Sequence, residues 1–218
     1  MRLYLIRHGP TQESDAGKVH GRSSTPLTRE GRENIRKRAK DLVQLQIEAI
    51  ITSPKRRAME TAQIILAEIK IKNEKTKKNK KPKKKKKEKI LEESQLELFT
   101  DRRITERDLG ALAGQSKKIV KKVLRHSSHL PEDIEERVIV QRRFRRSYLN
   151  WSERFENFLM VTHSSIYKAA IAELFGIHSG ELAGFHLAYG DYCIIERLGD
   201  FLYLKSSKGT ELRKTRAV

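Results

Sequence analysis

Two short apolar runs in this chain end in the same unusual way. Leu3-Tyr4-Leu5-Ile6 stops at Arg7-His8-Gly9-Pro10-Thr11, and Phe158-Leu159-Met160-Val161 stops at Thr162-His163-Ser164. A run of that length with no helical spacing is the mark of a buried strand. Each imidazole therefore stands where a strand ends and the chain turns. In open α/β sheets that carboxyl edge is where ligands bind. Two histidines at one edge, the first beside an arginine, point to chemistry on an anion and most readily on a phosphate.

A third apolar run, Ile47 to Ile51, leads into Ser53-Pro54-Lys55-Arg56-Arg57-Ala58. Ser53 suits a helix N-cap and Pro54 a first helical position. Arg57 then falls in an opening turn, where unpaired N–H groups and the helix dipole already favour an anion. Its planar guanidinium can hold two phosphate oxygens at once.

The remaining pattern alternates strands and helices. Thr28 caps a helix to about Leu45 with Ile35, Ala39, Leu42 and Val43 on one stripe, and Ala58, Ala62, Ile65 and Ile69 line the next helix. Leu96 to Phe99 alternates as a strand. Residues 117–151 look helical and strongly basic, and the helix from about Ser164 to Phe175 is capped by Ser164 or Ser165 and stopped by Gly176. Tyr192 to Leu198 and Phe201 to Lys205 form a hairpin at Gly199-Asp200. The expectation is one α/β domain over 1–218: a mainly parallel sheet with helices on both faces, an antiparallel hairpin edge at the C-terminus, and a small helical cap from about 111 to 157.

These residues resemble the histidine phosphatase superfamily in its phosphoglycerate-mutase-like branch. Five pieces stand in the family's order. They are Arg7-His8-Gly9-x-Thr11; Gly21-Arg22 with Pro26-Leu27-Thr28-x-x-Gly31; Ser53-x-x-x-Arg57-Ala58 with Thr61-Ala62; Glu106-Arg107-Asp108-Leu109-Gly110 with Gly114; and Thr162-His163. The resemblance implies that His8 is the nucleophile and forms a phosphohistidine. It implies that Glu106 serves as general acid and base, and that His163 shares the catalytic pocket. Arg7 and Arg57 then hold the phosphate oxygens, with Thr11, Ser14, Arg22 and Ser164 as further phosphate contacts. The chain departs from the usual pattern at Pro10, Ser14 and Ser164, which bear on substrate preference.

No cofactor or metal is implied. His126 and His129 share a short stretch, but no third ligand is patterned nearby. The reaction expected is hydrolysis of a small phosphate ester, with a phosphoglycerate mutase as the nearest rival. Only 57 positions separate Glu106 from His163, a compact cap for a mutase. A catalytically silent protein that binds nucleic acid through its basic surface ranks third.

Charge bears on that last reading. The net charge is +19, of which residues 72–89 supply twelve lysines against two glutamates. Such a run buries nothing and is read as a flexible surface insertion. Contact with nucleic acid or an anionic surface is open to it but not favoured, because no aromatic residues interleave for base stacking. The stretch containing Arg142, Arg143, Arg145 and Arg146 is a candidate for a second anionic group of the substrate. One cysteine, Cys193, excludes an internal disulfide, and no segment is long and apolar enough to span a membrane. The chain reads as cytoplasmic. Its oligomeric state is open.

Overall fold

The computed structural model describes residues 1–79, 96–126, 131–178, 181–206 and 211–214. Among them seven strands form one sheet, in the order β3-β2-β4-β1-β5-β6-β7. The parallel half holds β1 (Arg2–Arg7), β2 (Ala49–Thr52), β3 (Glu97–Thr100) and β4 (Asn157–Thr162). The antiparallel wing holds β5 (Tyr192–Leu198), β6 (Phe201–Ser206) and β7 (Glu211–Lys214). The hairpin turns at Gly199, whose φ of 57° suits glycine. β7, a third antiparallel strand, goes beyond the expected two-strand tail.

Side-chain alternation sends each central strand's residues to two separate cores. Leu3, Leu5, Phe158 and Met160 face one side, where they meet Phe144, Tyr148 and Trp151 of α5 (Arg137–Ser152) and Ile166, Ala170 and Ile171 of α6 (Ser164–Phe175). Tyr4, Ile6, Leu159 and Val161 face the other. There they meet Ile35, Ala39 and Leu42 of α2 (Arg29–Leu42) and Ala58, Ala62 and Ile65 of α3 (Arg56–Asn79). Central strands covered on both sides are the reason for their continuous apolar runs. A short α1 (Gln12–Asp15) follows the first histidine, and α4 (Lys117–His126) stands on its own small cluster of Leu109, Val120 and Ile134.

Several expectations change. Thr28 does cap α2, accepting from Gly31 N at 3.0 Å. Ser53 and Pro54, however, precede α3 by a bend, and the helix starts at Arg56. The Ser53 hydroxyl is taken by a histidine instead, as shown below. The N-cap of α6 is His163, with Ser164 already helical, so neither Ser164 nor Ser165 caps it. The basic stretch 117–151 is two helices, α4 and α5, because Pro131 to Glu136 leaves the helical path. The lysine-rich segment begins as a continuation of α3 as far as Asn79, where Lys72 Nζ donates to Val43 O at 3.1 Å. Lysine is a good helix former, and charge alone does not unwind a helix with an anchored face. Residues 80–89 of that run lie outside the described residues, as do His129 and the side chain of His126. No described helix is long and apolar enough to cross a membrane.

Candidate active site

Register brings the two histidines together. β1 and β4 pair with Arg7 opposite Thr162, so His8 and His163 leave the same sheet edge side by side. His8 N donates to Thr162 O at 2.9 Å, and the two ring centroids stand 5.2 Å apart. β2 flanks β4 on its other side and delivers Ser53, whose N donates to Val161 O at 3.0 Å. The Ser53 hydroxyl then lies 2.8 Å from His163 Nε2.

His8 is fully buried, and its Nδ1 is 2.8 Å from Gly9 O. A carbonyl only accepts, so Nδ1 carries the ring proton and Nε2 keeps its lone pair. Arg57 agrees with that tautomer by donating from Nε to His8 Nε2 at 3.2 Å. Burial, then the charges of Arg57 and Arg7, hold the His8 pKa well below its ordinary value. The imidazole is therefore neutral at neutral pH. His163 is depressed in the same direction, first by burial and then by Arg57.

Arg57 is fully buried and fixed by two carbonyls, donating from Nη1 to Ser23 O at 2.6 Å and from Nη2 to Gly21 O at 3.2 Å. Arg7 lies over the Tyr189 ring, 3.6 Å from its centroid, and donates from Nη1 to Leu187 O at 2.9 Å. Arg7 Nε and His163 Nδ1 are buried and have no hydrogen-bond partner among the described residues. Buried donors of that kind are rare without a ligand to receive them.

Glu106 closes the group. Its Oε1 accepts from Arg107 N at 3.1 Å and from Ser165 N at 3.3 Å, and its Oε2 is 4.0 Å from His163 Nδ1. A carboxylate held at the start of α6 is also favoured by that helix's dipole. Arg7, His8, Arg57, Glu106 and His163 are thus assembled from four separate stretches of chain, Arg7 and His8 being neighbours at the end of β1.

The other expected contacts fare differently. Thr11 and Ser14 bond each other in a reciprocal cap of α1: Ser14 N donates to Thr11 Oγ1 at 3.2 Å and Thr11 N to Ser14 Oγ at 2.8 Å. Thr11 Oγ1 is also 2.5 Å from His20 Nε2. Arg22 is turned outward to Asp108 Oδ2 at 3.3 Å and Glu135 Oε2 at 4.0 Å, with its side chain half exposed. Ser164 lines the adjoining cavity. Of the arginines considered for a second anionic group, Arg143 is bound to Glu135 and Arg145 to Glu173, and none of the four lines the cavity.

Three further residues complete the surroundings of the two histidines: His20 and Tyr189, to which the sequence reading gave no role, and Ser53, which it read as a helix N-cap. His20 packs edge-on against His8 at 5.4 Å, Tyr189 stands 5.3 Å from it, and Ser53 holds His163. Burial and the Arg57 charge lower the His20 pKa to about 4. His20 reaches the site through an irregular loop tied by Gly114 N to Val19 O at 2.8 Å, a closure no local pattern announces. Among the described residues, no group of three or more His, Cys, Asp or Glu side chains has metal-holding geometry.

The chain resembles proteins of known family. A probable phosphoglycerate mutase GpmB of Enterobacter sp. (strain 638) is 38% identical over 65 residues, which is 30% of this chain and 30% of that protein. An adenosylcobalamin/alpha-ribazole phosphatase of Escherichia coli K12 is 37% identical over 68 residues, 31% of this chain and 34% of that protein. The chain thus matches about a third of the length of these curated relatives. The solved structure of YhfR from Bacillus stearothermophilus shares the fold, with a TM-score of 0.74 at 24% identity over 96% of this chain and 97% of that one. The model of the histidine phosphatase superfamily (branch 1) matches residues 3–78 and 85–208. With that match over most of its length, this chain belongs to the histidine phosphatase superfamily.

Proposed function

We propose that this protein is a phosphomonoesterase that works without a metal, through a phosphohistidine at His8, on a small phosphorylated metabolite. The observation that carries this reading is the His8 tautomer. Nδ1 is committed to Gly9 O, and Nε2 keeps a lone pair that points at Arg57. In the first step Nε2 attacks phosphorus and the P–O ester bond breaks. Glu106, protonated at that moment, gives its proton to the departing alkoxide and leaves the alcohol. In the second step water attacks the phosphohistidine while the Glu106 carboxylate takes the water's proton. The P–N bond breaks, inorganic phosphate departs and His8 is regenerated.

Arg7, Arg57 and His163 surround the charge that builds on the equatorial oxygens. In this mechanism the Ser53 hydroxyl, 2.8 Å from His163 Nε2, donates to it, and His163 then carries its proton on Nδ1 for the phosphoryl group. Donors of this kind are each worth about 2.7–4 kcal/mol of barrier. We read residues 111–157 as a cap over this pocket, since Lys117, Lys121 and Leu124 of α4 line the cavity beside it.

Hydrolysis is favoured over mutase chemistry by access to water. Lys121 and Arg137 on the outer wall are exposed, so water enters the cavity that adjoins the buried phosphoryl site. The mutase reading draws on the likeness to GpmB, but the phosphatase relative matches comparably. The test is hydrolysis of 4-nitrophenyl phosphate with EDTA present, comparing the native protein with His8→Ala. Turnover that ignores EDTA and vanishes in the variant supports the reading. A native protein that interconverts phosphoglycerates and releases no phosphate would instead be a mutase.

A further inference from the structure

A cavity of about 610 Å³ extends from Arg7 and Glu106, and its outer wall is strongly cationic. Lys117 and Lys121 of α4, Arg137 of α5 and Lys168 of α6 all line it. These four come from three helices far apart in sequence, so spacing along one solvated helix face does not account for their convergence. Glu106 is the one carboxylate among the described lining residues.

The group is also short of counter-charge. Among the described residues, Lys121, Arg137 and Lys168 have no carboxylate within ion-pair distance. Lys117 has the Ser14 carbonyl at 3.5 Å and the Tyr189 ring at 5.5 Å. Arginines elsewhere on α5 are paired, Arg143 with Glu135 at 2.8 Å and Arg145 with Glu173 at 3.4 Å. Burial and neighbouring positive charge hold Lys117 and Lys168 below the ordinary lysine value, the charges being Arg7 and Lys121 for Lys117, against a smaller opposing pull from Asp15, and Arg137, Lys121 and Arg7 for Lys168. Like charges gathered in a recess repel one another in the free protein, and an anion relieves that repulsion.

We propose that Lys117, Lys121, Arg137 and Lys168 form a second anion subsite, so that the ester cleaved at His8 carries a further phosphate group. Leu124, Val140, Leu182 and Phe185 share the wall, which gives the body between the two anionic ends an apolar surface to lie on. Esters of neutral alcohols fill the phosphoryl cradle alone and leave the lysines unpaired. This subsite rests on the phosphatase reading for its catalytic meaning, but its binding is measurable separately.

The probes are alkanediol bisphosphates of graded chain length, each against its own monophosphate and against the matching ω-phosphooxy carboxylate. Calorimetry on His8→Ala reads affinity without turnover. At least one bisphosphate should bind about tenfold or more tighter than its monophosphate, with the preference shrinking as salt is raised. Lys121→Gln combined with Arg137→Gln, both at exposed positions, should abolish that preference while leaving kcat on 4-nitrophenyl phosphate unchanged in the native background. Equal affinity for bisphosphates and monophosphates at every length would overturn the subsite, as would a preference that survives the double substitution. A carboxylate preferred over the second phosphate would overturn the assignment of the group. Bisphosphate preference without any turnover by the native protein would sink the phosphatase reading and keep the subsite; turnover without preference would do the reverse.

Discussion

Replacing Arg57 by lysine keeps a positive charge and removes a shape. The guanidinium donates in three directions: to His8 Nε2, to Ser23 O and to Gly21 O. Lysine carries its donors on one nitrogen and cannot reproduce that planar fork. With Arg57 fully buried, the carbonyls of Ser23 and Gly21 lose a charged partner, at a cost of about 1–3 kcal/mol each. Catalysis loses a donor aligned on the transition state, which is worth about 10²–10³ in kcat. Because that contact strengthens as charge develops, kcat should fall further than KM rises. Steady-state kinetics on an aryl phosphate and a urea titration read the two effects separately. A kcat within about threefold of native, with unchanged stability, would refute the placement of Arg57 at the reacting phosphoryl group.

Acid should weaken the fold through its buried histidines. His20 titrates near 4 in the folded protein and near 6.5 when unfolded, so the unfolded chain binds more protons between those values. Stability from this group is intact above about pH 6.5 and is lost as pH falls, by about 2 kcal/mol between pH 7 and pH 5. Urea midpoints at the two values should show that loss in the native protein and a smaller one in His20→Gln; equal losses would remove His20 as the cause. Gly31→Ala tests the seat of the catalytic loop. A Cβ there would stand 2.4 Å from Pro10 O and 3.1 Å from Thr28 Oγ1, and the first of these is backbone that must move. The expected cost is about 1–3 kcal/mol, or roughly 2–4 °C of melting temperature per kcal/mol. A melting temperature at or above the native value would contradict the tight contact.

The parallel core and its helices were legible because each central strand is buried on both faces and therefore written as an unbroken apolar run. The placement of His8 and His163 followed from where those runs stop. Arg57 was placed correctly in an opening turn even though the helix begins two residues later than Pro54 suggests. The bend there frees Ser53 to hold His163, a contact that depends on β2 lying beside β4 and that no local signal reports. Thr11 and Ser14, expected on phosphate, bond one another in this structure, as short hydroxyl residues at the start of a turn readily do. His20 and Tyr189 reach His8 through loops set by tertiary contacts, Gly190 N donating to Arg7 O at 3.0 Å. The cationic wall was sought in the arginines of α5. The side chains that line the cavity belong instead to α4, the first residue of α5 and α6, because the arginines after Gln141 are drawn to Glu135 and Glu173 or turned to solvent.

The central claim is that His8 takes the phosphoryl group on Nε2. Rapid acid-free quenching during turnover of an aryl phosphate, followed by peptide mass spectrometry and phosphorus NMR, tests it directly. The account predicts one phosphoryl group on the peptide bearing His8, bound at Nε2, stable to alkali, labile to acid, and absent from His8→Ala. Phosphorylation at Nδ1 or on another residue, or full turnover in His8→Ala, would contradict it.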